Sequence, residues 1–114
     1  MKLVIAPAAK EDLLEIKEYI SVKLCNPAAA VNVVKRIIKD YRMLPDTPEI
    51  GITLDRKIDV KTPFRFIVSG NYLVFYQINQ DTVEIHRILY KGRDYFRILL
   101  PEEYANIRDI SDDD

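Results

Sequence analysis

PFRFIVSGNYLVFYQINQDTVEIHRILYKGRDYFRILL, residues 63–100, holds most of the chain's aromatic residues and four of its arginines. Three runs rich in Val, Ile, Phe and Tyr are separated by Ser69-Gly70-Asn71 and Asn79-Gln80-Asp81, the turn signals of a three-stranded antiparallel meander. Alternation in the first run places Phe64, Phe66 and Val68 on one face and Arg65, Ile67 and Ser69 on the other. The second, Tyr72 to Ile78, is apolar at nearly every position, as a central strand covered on both faces requires. In the third, Val83, Ile85, Arg87 and Leu89 share one face and Glu84, His86, Ile88 and Tyr90 the other. The run closes on Tyr90-Lys91-Gly92-Arg93-Asp94-Tyr95, where positive charge gathers.

Upstream, Lys2 to Ala6 reads as a short strand stopped by Pro7, a residue suited to the first turn of a helix. Apolar Ala9, Leu13, Ile16 and Ile20 then recur at spacings of four, three and four, with Glu11, Asp12, Glu15 and Glu18 assigned to the remaining arc of an amphipathic helix. Asn26-Pro27 supplies an N-cap and a first helical position for a second helix through Ala30, Val34, Ile37 or Ile38, Tyr41 and Leu44, ending at Pro45. Its outer arc is basic: Lys35, Arg36, Lys39 and Arg42. So short a connection makes the two helices an antiparallel hairpin facing the sheet. Residues 45–63 lack periodicity and read as a long loop. A short helix over residues 93–100, before Pro101, and a weaker helical continuation over 102–107 complete an α+β chain. The expected architecture is an N-terminal strand and a helical hairpin packed on a small antiparallel sheet, with a short C-terminal helix.

At 114 residues, 48% apolar and 31% charged, the chain suits one soluble domain. No apolar run approaches a membrane span, and the N-terminus gains charge too early for a secretory signal, so the expected location is cytoplasmic. The single cysteine, Cys25, excludes an internal disulfide framework and a Cys-based zinc site; it is read as structural, and neither metal nor cofactor is expected. Residues 1–99 carry 16 Lys or Arg against 12 Asp or Glu, whereas residues 100–114 carry one Arg against six acids. A basic body, residues 1–100, thus bears an acidic tail, 101–114. The tail is a solubilising terminus or, on a sharper reading, a screen folded over a site for an anionic partner, weakened by salt.

Strand, helix, helix, loop, three strands and short helix is an order that resembles the RelE/ParE superfamily, the toxins of bacterial type II toxin–antitoxin pairs. The resemblance covers residues 1–100. It rests on Ala8-Ala9-Lys10-Glu11-Asp12-Leu13, on the run Arg65 to Tyr76, and on the run Val83 to Tyr95. It implies a growth-arresting toxin held by a cognate antitoxin encoded alongside, in a toxin–antitoxin hetero-oligomer. Two targets live on this scaffold: RelE-like members cut mRNA in the ribosome, and ParE-like members inhibit DNA gyrase. Metal-free RNA cleavage needs a base, an acid and cations that converge on one phosphate. By the resemblance, Arg65 and Arg87 stand where the family's phosphate-contacting arginines are found. Arg93 and Tyr95 come after the last strand where further functional groups lie, and Tyr90 stands where many RelE-type sequences have His. No base is evident, since a lone strand histidine, His86, is more often structural. Gyrase inhibition requires no acid–base pair, and Lys35, Arg36, Lys39 and Arg42 are the partner-binding candidates. Tyr90 and the mildly basic body favour that ParE-like reading. Plainer roles stand beside these: Arg65 paired with a carboxylate on a neighbouring strand, Arg93 and Asp94 anchoring the last helix. Outside the family, the alternative is a non-toxic protein- or nucleic-acid-binding domain with Tyr72, Phe75 and Tyr76 stacking on bases, set against the commoner role of such aromatics as core.

Overall fold

The computed structural model describes residues 1–55 and 61–112, the last six by backbone alone. In chain order the elements are β1 (Lys2–Ile5), α1 (Pro7–Glu18), a π-helical turn (Tyr19–Lys23), α2 (Pro27–Arg42), a 3-10 turn (Pro48–Ile50), β2 (Ile52–Thr53), β3 (Phe64–Ser69), β4 (Tyr72–Asn79), β5 (Thr82–Tyr90), α3 (Tyr95–Leu99) and α4 (Pro101–Asp112). Proline opens both long helices. At α2 the Asn26 side chain also accepts the Ala29 N–H at 3.1 Å, satisfying one of the donors that a helix start leaves free.

The sheet has five strands in the order β1-β5-β4-β3-β2. The antiparallel meander forms as its turn signals predict. β1, however, runs parallel to β5, with Leu3 opposite Val83 and Ile5 opposite Ile85, so the sheet is mixed. The expected loop over residues 45–63 is also more structured than its composition suggests. β2 pairs with β3, and the Tyr76 hydroxyl fastens the 3-10 turn by accepting from Gly51 N at 2.9 Å and donating to Pro48 O at 2.7 Å. Residues 56–60 of that stretch lie outside the described ones.

Two apolar layers cover the sheet. On the helical side, Ala9, Ile16 and Ile20 with Ala30, Ile37 and Tyr41 pack onto Val74, Tyr76, Val83, Ile85 and Ile88. On the other side, Phe64, Phe66, Leu73, Phe75 and Leu89 are closed over by Leu54 and by Leu99 of α3. Arg65 is outside the phenylalanine layer, as alternation requires. The alternation expected along β5 does not hold throughout. Phe75 faces Arg87 while Tyr76 faces Ile85, which leaves His86 as an extra residue in a β-bulge. A bulge shifts the side-chain phase by one. Ile88 therefore joins Val83 and Ile85 on the helical side, and Leu89 goes to the opposite core.

Asp12 corrects the reading of α1. It is only 5% exposed and belongs to the buried face rather than the acidic outer arc. Its position, three residues after Ala9 and four before Ile16, puts it there by helical period. Among the described residues, no helix is long and apolar enough to cross a membrane.

Candidate functional site

β1 ends at Ile5, opposite Ile85, and the last backbone bond along this edge is Ala6 N to Ile85 O at 2.9 Å. Beyond it the outer edge of β5 has no strand partner among the described residues, and α1 supplies one. Asp12 Oδ2 accepts the Ile88 N–H at 2.9 Å and Arg87 Nε at 2.8 Å, and Oδ1 accepts Arg87 Nη2 at 2.9 Å. This is a bidentate, largely buried ion pair fused to a backbone cap. The hydrogen bond to Asp12 raises the Arg87 pKa further above its ordinary value, burial opposing it. Arg87 is thus committed to holding α1 on the sheet.

Arg65 is committed elsewhere. Its Nη1 donates to Gly51 O at 3.2 Å and to Glu49 O at 3.4 Å, so it braces the 3-10 turn through carbonyls rather than through a carboxylate on a neighbouring strand. It stands on β3, with β4 between it and Arg87. Tyr95 packs its ring 5.3 Å from that of Phe75 in the core opposite the helices, where burial pushes its phenol upward. The nearby Asp94 caps α3 by accepting Arg97 N at 3.4 Å.

Tyr90 and Arg93 come together at a different place. Both line a groove of about 870 Å³ between the α1 end of the hairpin, the start of α2 and the far ends of β4 and β5. Its walls are Ile16, Ile20, Leu24 and Val33, and Tyr72 and Ile88 form its floor. Tyr90 meets Tyr72 edge-on with centroids 6.0 Å apart. The Tyr72 phenol is raised first by burial, then by the hydroxyls of Tyr19 and Tyr90. Gly92 permits this arrangement, since a Cβ there would lie 2.8 Å from the Tyr90 ring. Of the five candidates for cleavage chemistry, Tyr90 and Arg93 line the groove, Arg87 reaches its edge through the ion pair with Asp12, which lines it too, and Arg65 and Tyr95 are engaged elsewhere.

His86 stacks on Phe64 with centroids 4.7 Å apart, within the bulge. Burial lowers its pKa from the usual 6.5, against the pull of Glu84. The fold thus favours neutral imidazole. That stabilisation is complete above the unfolded value near 6.5 and is lost as pH falls through the lower folded value. Urea midpoints measured from about pH 7.5 down to about pH 5 should fall, and His86→Gln should flatten the part of the decline that this group supplies; an unchanged slope would count against the assignment. Phe75 and Tyr76 are fully buried and serve as core rather than as a stacking platform for bases. Lys35, Arg36, Lys39 and Arg42 lie along α2, on the arc the period predicts. Arg36 lies 3.9 Å from Asp40, which itself accepts a hydrogen bond from Ser69 Oγ at 2.7 Å. Cys25 is exposed and adopts a left-handed backbone before the Asn26 cap. Among the described residues no group of His, Cys, Asp or Glu is placed to hold a metal ion.

Reading by pattern missed Asp12 and the groove. A carboxylate lying within the apolar period of α1 was the available signal for the first; Tyr19 and Leu24, apolar residues on either side of Ile20 at the end of that period, were the signal for the second.

The family model described as ParE toxin of type II toxin-antitoxin system, parDE, matches residues 3–95. No curated protein matches the chain. Among solved structures, the chain is similar to one from the chromosomal ParDE TA system of P. aeruginosa, at a TM-score of 0.68 and 20% identity, over 79% of this chain and 95% of that one. At that identity the likeness establishes a shared fold. With the family model spanning β1 to the start of α3, the chain belongs to the ParE toxin family of type II toxin–antitoxin systems.

Proposed function

We propose that this ParE-family chain arrests growth by binding its target rather than by cutting RNA, that the target is DNA gyrase, and that a co-encoded antitoxin of the ParD kind neutralises it. The engagement of three of the candidate catalytic groups in structural contacts carries this reading. A metal-free cleavage site needs acid, base and cations within hydrogen-bond reach of a single phosphate. Here the Arg87 fork is filled by Asp12, Arg65 is occupied by the carbonyls of Glu49 and Gly51, and Tyr95 is packed against Phe75. Freeing Arg87 for a phosphate would leave Asp12 buried without its counter-charge, a cost of several kcal/mol. A binding toxin makes no such demand.

The surface for the antitoxin is the basic arc of Lys35, Arg36, Lys39 and Arg42, which suits an acidic segment laid along α2. Chain and partner would then form a hetero-oligomer.

Inducible expression in a bacterium tests the target, with total RNA and plasmid supercoiling measured in the same culture. Growth arrest with intact mRNA, altered supercoiling and DNA damage, relieved by co-expression of the neighbouring antitoxin, is the expected result. Arrest with ribosome-dependent mRNA cuts that disappear in Arg65→Ala or Arg93→Ala would replace this reading with the RelE-like one. Harmless accumulation of the folded chain would remove both.

A further inference from the structure

β1 stops opposite Ile85, and no other described strand lies along the outer edge of β5 beyond it. Two hydrogen bonds fix which backbone groups that edge presents. In an antiparallel ladder, successive residues alternate between bonding the residue opposite and turning both backbone groups away from it. Ile88 N bonds Asp12 and Tyr90 O accepts the Arg93 N–H, so Ile88 and Tyr90 both turn away from β4. Their other two groups, Ile88 O and Tyr90 N, lie along the groove that both residues line. In a parallel ladder these are the two groups that a single residue of the next strand engages, donating to one and accepting from the other. β1 joins the same edge in the parallel sense.

The groove also differs in charge from the outer arc of α2. Asp12 is neutralised by Arg87, which leaves Glu15 toward the end where β1 stops and Arg93 at the end where β5 stops, one acid against one base. Arg93 is exposed, and its side chain forms no ion pair among the described residues. Between the two charges the lining is apolar. Tyr19, Leu24 and Tyr90 are each about half exposed there, at 54%, 56% and 49%, a contiguous apolar surface of the kind that marks an interaction site. An acidic segment is drawn to the cations along α2. The groove, neutral in sum, favours an apolar segment whose few charges run in the opposite order to its own.

Resting on the reading of this chain as a toxin that works by binding its target, we infer that the groove is the target-binding surface. It takes an extended segment of the target as an added strand, parallel to β5 and in line with β1. The residue opposite Leu89 accepts from Tyr90 N and donates to Ile88 O. Its two neighbours point to the helical side, as Ile88 and Tyr90 do, so both are apolar and enter the space between the hairpin and the sheet. Running parallel to β5, the segment leaves past Arg93, where it carries Asp or Glu. Main-chain bonds supply affinity and the two buried side chains supply choice of partner, as in other strand additions. The antitoxin keeps the basic arc, so the two partners are held by surfaces of different chemistry.

The test is inhibition of purified DNA gyrase supercoiling a relaxed plasmid, by the full chain made by cell-free synthesis, with capture by the co-encoded antitoxin measured in parallel. Leu24→Glu should raise the concentration for half inhibition at least about tenfold, because it sets a charge in an apolar wall. Tyr90→Ala and Tyr90→Pro separate the backbone from the side chain. Both lose the phenol, and proline alone loses the N–H. That N–H faces away from β4, so the ladder stays whole and the edge tolerates proline. Tyr90→Pro should inhibit about fivefold less well than Tyr90→Ala, the worth of one hydrogen bond. All three variants should keep the circular dichroism and the antitoxin capture of the wild type. Folded variants that inhibit like the wild type would overturn the inference, and so would equal inhibition by the alanine and proline variants. Loss of antitoxin capture together with inhibition would give the groove to the antitoxin instead. A wild-type chain without effect on gyrase would overturn the inference differently, by removing the reading of the target on which it rests.

Discussion

Asp12→Ala should destabilise the domain by about 3 kcal/mol, within the range for removing one partner of a buried ion pair and below its upper end because a quarter of the Arg87 side chain reaches solvent. Three bonds go at once: both arms of Arg87 and the cap on Ile88 N. The guanidinium is left partly buried without its counter-charge, and the β5 edge without a partner. Urea unfolding should show a lower midpoint at an unchanged slope, and heating a fall in Tm of on the order of 10 °C. Arg87→Met alone should cost at least as much, because the carboxylate it strands is more deeply buried than the guanidinium and keeps only the Ile88 N–H as a partner. A double-mutant cycle should give a coupling of about 1 kcal/mol or more, of the size found between residues in direct contact. A loss below about 0.5 kcal/mol for Asp12→Ala, the level of an ordinary surface change, would show that the pair orients the hairpin without stabilising it.

Gly51→Ala is the second large effect. A Cβ at this position would collide with the Tyr76 hydroxyl, stand 2.8 Å from Tyr76 Cε1 and approach the Phe66 carbonyl to 2.9 Å. The backbone at Gly51 is ordinary extended chain, with φ at −72°, so the conflict is one of space and not of conformation. Because one obstacle is strand backbone, the turn has to move, which separates Tyr76 from Gly51 N and Pro48 O and Arg65 from its carbonyls. Overpacking of this kind costs roughly 1–3 kcal/mol and stranded buried polar groups a similar amount, for a total of about 3 kcal/mol. Tyr76→Phe keeps the space and removes only the hydroxyl; its expected cost is about 1–2 kcal/mol. Chemical denaturation of both variants separates the two contributions, and equal losses would mean that the hydrogen bonds account for the whole effect.

The order of elements was legible because the elements that set it have strong periods. The α1 stripe, the Asn26-Pro27 start of α2 and the two hairpin turns each rest on residues close in sequence, and such signals survive without knowledge of the partner. β2 is two residues long, too short for any period, and β1 carries no mark of the edge it joins or of the direction it takes. The bulge at His86 lies in a run of strand formers with no Gly or Pro to announce it. Exposure was legible where helical position alone mattered, as along Lys35, Arg36, Lys39 and Arg42. The site was hidden where long-range partners decide. Arg87 reads as an available cation until Asp12, 75 residues away, is brought beside it, and Arg65 until the turn at Gly51 folds over it.

The extra residue at His86 also sets which changes of length β5 can absorb. In an ordinary strand, deleting one residue exchanges inside for outside in the whole remainder of the strand. Here parity is already broken, so loss of residue 86 would put Arg87 directly after Ile85 in a regular ladder and leave Ile88, Leu89 and Tyr90 on the sides they now occupy. The groove would keep its floor, and the loss would fall on the stacking against Phe64. Deleting Glu84 would instead leave that slip in place and turn the start of the strand over, taking Val83 out of the core beneath the helices. Drift in length along this strand is therefore channelled to a single position.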